Sequence, residues 1–169
     1  TNYGHCATYD NDGNIYTGAR CFGVGYPTAD GSFQTDYGGA QAIAVSTLNP
    51  DGSALLYASY LGGAANDLAH SMVVSDDDEL YVFGSSRSLD YPISDDAFDA
   101  TGPDGGISPD IVITHLTEDG TDVVGSTYVG GDGSDGINDL TTNYADDFRG
   151  EIIVDEDGNC YVASCTASD

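Results

Sequence analysis

The sequence predicts an all-β fold assembled from repeated units, and three observations carry that expectation. Short apolar runs are separated by clusters of Gly, Asp, Asn and Pro. No window sustains apolar spacing at three and four over several turns without glycine or aspartate intervening. The same ordered blocks then recur along the chain, and a repeat of this kind decides the architecture before any single strand does. At 169 residues and 40% hydrophobic content the chain suits one domain with a real core, and is too apolar for a disordered acidic tail.

The repeats can be aligned position by position. Asn14-Ile15-Tyr16-Thr17-Gly18 returns as Glu79-Leu80-Tyr81-Val82-Phe83-Gly84, with Tyr81 in the place of Tyr16. Tyr26-Pro27 with Phe33 returns at the same spacing as Tyr91-Pro92 with Phe98. Asn49-Pro50-Asp51-Gly52 and Tyr60-Leu61-Gly62-Gly63 match Thr117-Glu118-Asp119-Gly120 and Tyr128-Val129-Gly130-Gly131 at a slightly longer spacing, which marks a short insertion between the blocks. A third copy opens with Ile152-Ile153-Val154-Asp155 and Gly158-Asn159-Cys160-Tyr161-Val162, so that Tyr161 continues the series of Tyr16 and Tyr81. The spacing is longer again here, and the added length falls within 139–150. The units are 1–63, 64–131 and a partial 132–169 of one domain, 1–169.

Each full unit carries four runs of strand character. In the first they span 5–9, 15–19, 42–48 and 54–60; in the second, 70–74, 80–84, 110–116 and 122–128. The third has two, 151–154 and 160–164. Four antiparallel strands in a unit of this length match one blade of a β-propeller, so the chain reads as a propeller segment of about two and a half four-stranded blades. Such an incomplete disc leaves strand edges unpaired and a blade face uncovered. Either further blades of the same chain or neighbouring copies complete it, and continuation is favoured because the third copy stops in mid-blade.

Charge narrows the partners. Lys+Arg 3 against Asp+Glu 29 gives a net charge of −26, and all three cations are arginines (Arg20, Arg87, Arg149), so no face can neutralise many phosphates and nucleic acid is excluded. No apolar run approaches the roughly 18 residues of a spanning helix, so membrane insertion is not expected, and the first ten residues show no signal-peptide pattern. The chain reads as soluble, and as already processed or excerpted. A lysine-free acidic surface repels itself, keeps an edge-rich β protein soluble and attracts counter-ions, which suits extracellular or cell-surface conditions. Cys6, Cys21, Cys160 and Cys165 allow three full pairings. A hairpin at 10–13 would set Cys6 opposite Thr17 rather than Cys21, and Cys160 and Cys165 face opposite sides of one strand. Free thiols are favoured over end-to-end bridges.

Together the blocks Tyr-Leu-Gly-Gly, Asp-Gly-Asn-hydrophobic-Tyr, Tyr-Pro with a following Phe, and Asn-Pro-Asp-Gly-Ser-Ala resemble the SBBP-type β-propeller repeat over nearly the whole chain. With the stretch 143–154, the later copies also resemble large secreted surface proteins exported by type IX secretion, where propellers accompany adhesive modules. Asp76-Asp77-Asp78-Glu79 departs from the pattern by lacking the Gly-Asn turn, which puts a tight hairpin there in question.

Calcium is the cofactor this surface invites, bound peripherally; no other cofactor is expected. Gly130 to Asn138 fits the G-G-x-G-x-D-x-U-x nonapeptide, making Asp132 and Asp135 candidate ligands. The matched 62–67 lacks the third glycine, and the plainer account is a loop in which Asp67 and Asp135 accept backbone amides. Asp10 and Asp12, and Asp155 and Asp157, offer alternating carboxylates before a glycine, as in half a calcium loop, but the distal glutamate is missing and hairpin turns, the favoured reading, explain both segments without metal. His5 and His70 recur with the repeat, as architectural residues do, while His115 has no matching nucleophile motif. Tyrosines in register (Tyr16, Tyr81 and Tyr161; Tyr26 and Tyr91; Tyr60 and Tyr128) are expected in packing, whereas Tyr3, Tyr37, Tyr144 and the 139–150 insertion are better places for function. The expected function is a non-catalytic scaffold or recognition module of a larger secreted or cell-surface protein, engaging protein or glycan at its loop face. The alternatives are a self-assembling subunit of an extracellular filament and a propeller-based glycan-active enzyme.

Overall fold

A computed structural model describes residues 2–138, 140 and 150–169. They form ten strands and no α-helix: β1 (Tyr3–Tyr9), β2 (Ile15–Cys21), β3 (Ala42–Leu48), β4 (Leu55–Leu61), β5 (Asp67–Val74), β6 (Leu80–Ser86), β7 (Asp110–Leu116), β8 (Val123–Val129), β9 (Gly150–Val154) and β10 (Cys160–Ser164). Every expected strand is present, and several are longer than expected. The strands form two four-stranded antiparallel meanders, β1-β2-β3-β4 and β5-β6-β7-β8, and a hairpin of β9 and β10. None of the sheets closes on itself.

Short acidic turns make the first hairpin of each sheet. The amides of Asp10, Ser75 and Asp155 bond the carbonyls of Asn14, Glu79 and Asn159 at 3.2, 3.0 and 3.0 Å. The fourth residue of each turn takes positive φ: Gly13 at 84°, Asp78 at 61° and Gly158 at 79°. Tight closure at 75–79 therefore survives the missing glycine, because aspartate tolerates the left-handed region better than most residues. In β1 a bulge between Gly4 and Cys6 shifts the register, so Cys6 faces Gly18 and not Thr17. All four cysteines are free.

Strand alternation builds the core between sheets. From the first sheet Tyr16, Ile43, Val45, Tyr57 and Leu61 pack against Ala69, Met72, Leu80, Val82, Val112, Leu116, Tyr91 and Tyr128 of the second repeat. The opposite face of the second sheet repeats the arrangement, with Tyr81, Phe83 and Ile111 against Ile152, Val154 and Val162 of the hairpin. Each Val, Leu, Ile, Phe or Met among them contributes about 1.5–3 kcal/mol when fully buried. β5 packs beside β1 and β9, so the first strands of the three units lie in a row. The long β2–β3 and β6–β7 connections fold back over the outer strands. Tyr60 donates its amide to the Gln34 carbonyl, and Tyr128 donates to that of Asp99, both at 3.0 Å, which covers edges that would otherwise template association. Among the described residues β10 has no third strand beside it, and Ile153 and Tyr161 stand 60% and 55% exposed on the hairpin's outer face. No helix among the described residues is long and apolar enough to cross a membrane.

Candidate functional site

Meander topology sends the acidic turns to one end and the Gly-Gly corners, which lead from each sheet into the next unit, to the other. At the first corner the chain leaves β4 through Gly62 and Gly63 and enters β5 at Asp67, which is fully buried. Its Oδ2 accepts the Gly63 amide at 2.8 Å and the Ser88 hydroxyl at 2.9 Å, and its Oδ1 accepts the Ser86 hydroxyl at 2.5 Å. Ser88 also accepts the Ala65 amide at 2.9 Å, and Asp90 that of Ala64 at 2.8 Å. Burial pushes the Asp67 carboxyl above its usual range despite these donors.

The second corner rebuilds that geometry. Asp135 Oδ2 accepts the Gly131 amide at 3.1 Å and the Ser168 hydroxyl at 2.6 Å, Ser168 matching Ser88. The two corners are pinned alike to the preceding sheet, the Asp67 amide on the Gln41 carbonyl at 3.0 Å and the Asp135 amide on that of Pro109 at 2.7 Å. Burial raises the Asp135 carboxyl, but hydrogen bonds from Ser168, Thr166 and Gly131 outweigh it and the net direction is down. The hydrogen-bonded loop weighed against the nonapeptide calcium turn is thus present at both corners.

One carboxylate at this corner has no counterpart at the first. Asp110 begins β7 where β3 begins with Ala42, and it is only 3% exposed. A Cβ on Gly130 would lie 2.5 Å from its carboxyl carbon, so only glycine passes here. Burial first, then the charges of Asp135, Asp99 and Asp104, lift the Asp110 carboxyl to about 6. Oδ1 of Asp110 and Oδ1 of Asp135 are both sealed from solvent without a hydrogen-bond partner. Sequence reasoning missed Asp110; the signal was a charged residue in the slot that the first repeat fills with alanine.

The other calcium candidates lie apart. Asp10, 5% exposed, accepts the Asn14 amide at 2.8 Å, the Asn14 side chain at 2.7 Å and the Tyr16 hydroxyl at 3.2 Å. Asp155 repeats the pattern with the Asn159 amide at 2.9 Å and the Tyr161 hydroxyl at 2.9 Å. Asp12 and Asp157 lie at the turn tips, and Asp132 is exposed on its loop. Among the described residues no three His, Cys, Asp or Glu side chains gather as a metal site. Tyr144 and residues 139 and 141–149 of the insertion lie outside the described residues.

Tyrosines divide between packing and surface. Tyr16, Tyr60, Tyr81, Tyr91 and Tyr128 are buried, and Tyr37 packs edge-on to Tyr60 with its hydroxyl on the Ala40 carbonyl at 2.6 Å. Tyr3 is exposed, edge-on to Phe22 at 5.6 Å. His70 Nε2 meets the Ser85 hydroxyl at 2.9 Å, and His115 pairs with Glu79 at 2.7 Å while stacking on Tyr81 at 3.9 Å. Two hollows flank the second sheet's outer face. One, of about 430 Å3, is lined by Ile111, Ile113, Val129, Asp135 and Val162. The other, of about 290 Å3, is lined by Phe98, His115, Thr127 and Cys160. No family model matches the chain, and no curated protein matches it.

Proposed function

We propose that the chain is part of a β-propeller and acts as a non-catalytic scaffold or recognition module of a larger secreted or cell-surface protein. The observation that carries this is the repeated sheet-on-sheet interface, complete once and half-built once. Phe33 donates its amide at 3.0 Å to the Gly120 carbonyl in the second sheet's β7–β8 turn and packs into the core. Its counterpart Phe98 is 87% exposed, and both hollows lie on the face whose equivalent in the first sheet is filled by Val112, Leu116, Tyr91 and Tyr128. Two more antiparallel strands beside β10 would fill both. The likeness to SBBP-type repeats and to type IX secretion cargo belongs to the same proposal.

A scaffold is favoured over a glycan-active enzyme. Asp110 and Asp135 have their carboxyls moved in opposite directions, as an acid and base pair would. Their Oδ1 atoms are nevertheless closed to solvent, which disfavours contact with a glycosidic oxygen. A second proposal, completion by neighbouring copies, draws on the same uncovered face: the first sheet presents to the second what the second presents to the hairpin, so copies could stack head to tail.

Fractionating the native source and weighing the polypeptide under reducing, denaturing conditions tests both. A product in the medium or at the cell surface, heavier than 17.5 kDa, is the expected result. A 17.5 kDa product found outside the cell in large assemblies would favour stacking, and one confined to the cell interior would overturn both.

A further inference from the structure

The two Gly-Gly corners share a scaffold and differ in how their buried charge is met. At the first, both Asp67 oxygens accept hydrogen bonds and the neighbouring strand opens with neutral Ala42. At the second, two buried carboxylates share one corner, and the charge of Asp135 acts on Asp110. Asp135 is held to the Pro109 carbonyl, next to Asp110, while the Asp110 carboxyl lies against Gly130 and Asp135 binds the amide of Gly131. Each presents an Oδ1 without a partner at a residue 2% or 3% exposed. An isolated ionised carboxylate in such a place costs several kcal/mol, and two together cost more. No arginine acts on either side chain among the described residues, and the hydrogen bonds to Asp135 hold that carboxyl in its charged form, so Asp110 faces a negative neighbour with no counter-charge.

We propose that Asp110 and Asp135 bind a calcium ion, buried where β7 meets the chain entering the third hairpin. The donors are hard oxygens with no sulfur or imidazole among them, which selects calcium over zinc. Thr166 pairs with Asp135 through the backbone in the same corner and its hydroxyl acts on the Asp135 carboxyl, so that hydroxyl is at hand as a further oxygen, and water would complete the shell. A monatomic ion is the ligand that suits oxygens closed to solvent. This site is separate from the exposed acidic turns and independent of whether more blades follow. The ion would tie the second sheet to the third unit, as the Ser86 and Ser88 hydroxyls tie Asp67.

The test uses the 169-residue chain stripped with EDTA and then titrated with CaCl2, followed by thermal melting and by terbium luminescence. Wild type is expected to gain several degrees in Tm at millimolar calcium and to show saturable terbium emission that calcium displaces. Asp110→Ala, which installs the residue of the first repeat, should lose both responses, and without metal should melt at least as high as wild type. Asp110→Asn serves as the second variant if alanine perturbs folding by circular dichroism, with the same expectation. The joint variant Asp12→Asn, Asp132→Asn, Asp157→Asn removes exposed carboxylates and should keep the response. A calcium shift equal in wild type and Asp110 variants, or absent from wild type, overturns the site.

Discussion

Asp67 and Asp135 occupy the same position of successive repeats and perform the same act: each accepts the amide of the glycine four positions before it, Gly63 at 2.8 Å and Gly131 at 3.1 Å. A side chain thereby closes the corner that passes from one sheet to the next, and the Ser86 and Ser88 hydroxyls, at the end of the new unit's second strand and just beyond it, support Asp67. Removing that carboxylate strands three donors in a buried place. Asp67→Ala should cost about 2–4 kcal/mol. Asp67→Asn, which keeps one acceptor oxygen, should cost less. Urea denaturation monitored by circular dichroism measures both, and a loss under about 0.5 kcal/mol for alanine would refute the role.

Asp78 is the one non-glycine residue at positive φ among those described, in a turn where its counterparts are Gly13 and Gly158. Its Oδ1 is buried without a partner, and burial, then Asp10, Asp12, Asp77 and Asp76, push its carboxyl upward. For an acid, a raised folded pKa means that stability declines as pH rises through the unfolded value towards the folded one. Asp78→Gly removes the backbone penalty together with a repulsion that solvent already screens, offset by the greater freedom of glycine in the unfolded chain. A net gain of about 0.5–1 kcal/mol is expected at neutral pH, shrinking below pH 4. A destabilised variant at neutral pH would show that Asp78 has a favourable partner.

Strand positions were legible because Tyr16, Tyr81 and their neighbours recur in register with turn residues between them. The corner hydrogen bonds were legible too, since Asp67 and Asp135 keep one offset from Gly63 and Gly131. What could not be read was anything set by contact between repeats. Tyr161 continues the tyrosine series but stands exposed, because no described strand packs over it. Phe33 and Phe98 share a repeat position, yet Phe33 is half-buried against the second sheet and Phe98 stands exposed, for the same reason. Asp110 escaped notice because its meaning lies in Asp135, distant in sequence and beside it in space. The β1 bulge that moves Cys6 from Thr17 to Gly18 leaves no mark in a strand's simple alternation.

His70 lies in β5 with its ring edge-on to Phe83 at 5.2 Å. Burial, then the charges of His5 and Arg20, depress it to about 4 from an ordinary 6.5. The unfolded chain therefore takes up this proton first as pH falls. Stability held above pH 6.5 is lost between 6.5 and 4, by up to about 3 kcal/mol. His70→Gln should be weaker than wild type at pH 7 yet flatter across that window. Carboxylates titrate in both proteins, so the difference between the two stability curves is the readout, and parallel curves would remove His70 as the cause.

The thiols should react in an order fixed by burial. Cys160 is exposed and Cys165 half-buried, whereas Cys21 is wholly buried and Cys6 lies partly buried in the packing between the first two sheets. Burial raises Cys21, and lifts Cys6 to about 11 against a smaller opposing hydrogen bond from the Gly18 backbone, with Glu151 adding to the rise. Only the thiolate attacks iodoacetamide, so this elevation alone slows Cys6 roughly hundredfold at neutral pH. Timed alkylation with peptide mass spectrometry should find Cys160 modified first, Cys165 next, and Cys6 and Cys21 only as the fold opens in denaturant. Cys6 keeping pace with Cys160 would mean that the first sheet does not pack on the second as described. A mass deficit of two hydrogens in the unreduced protein would instead reveal a disulfide and contradict the four free thiols.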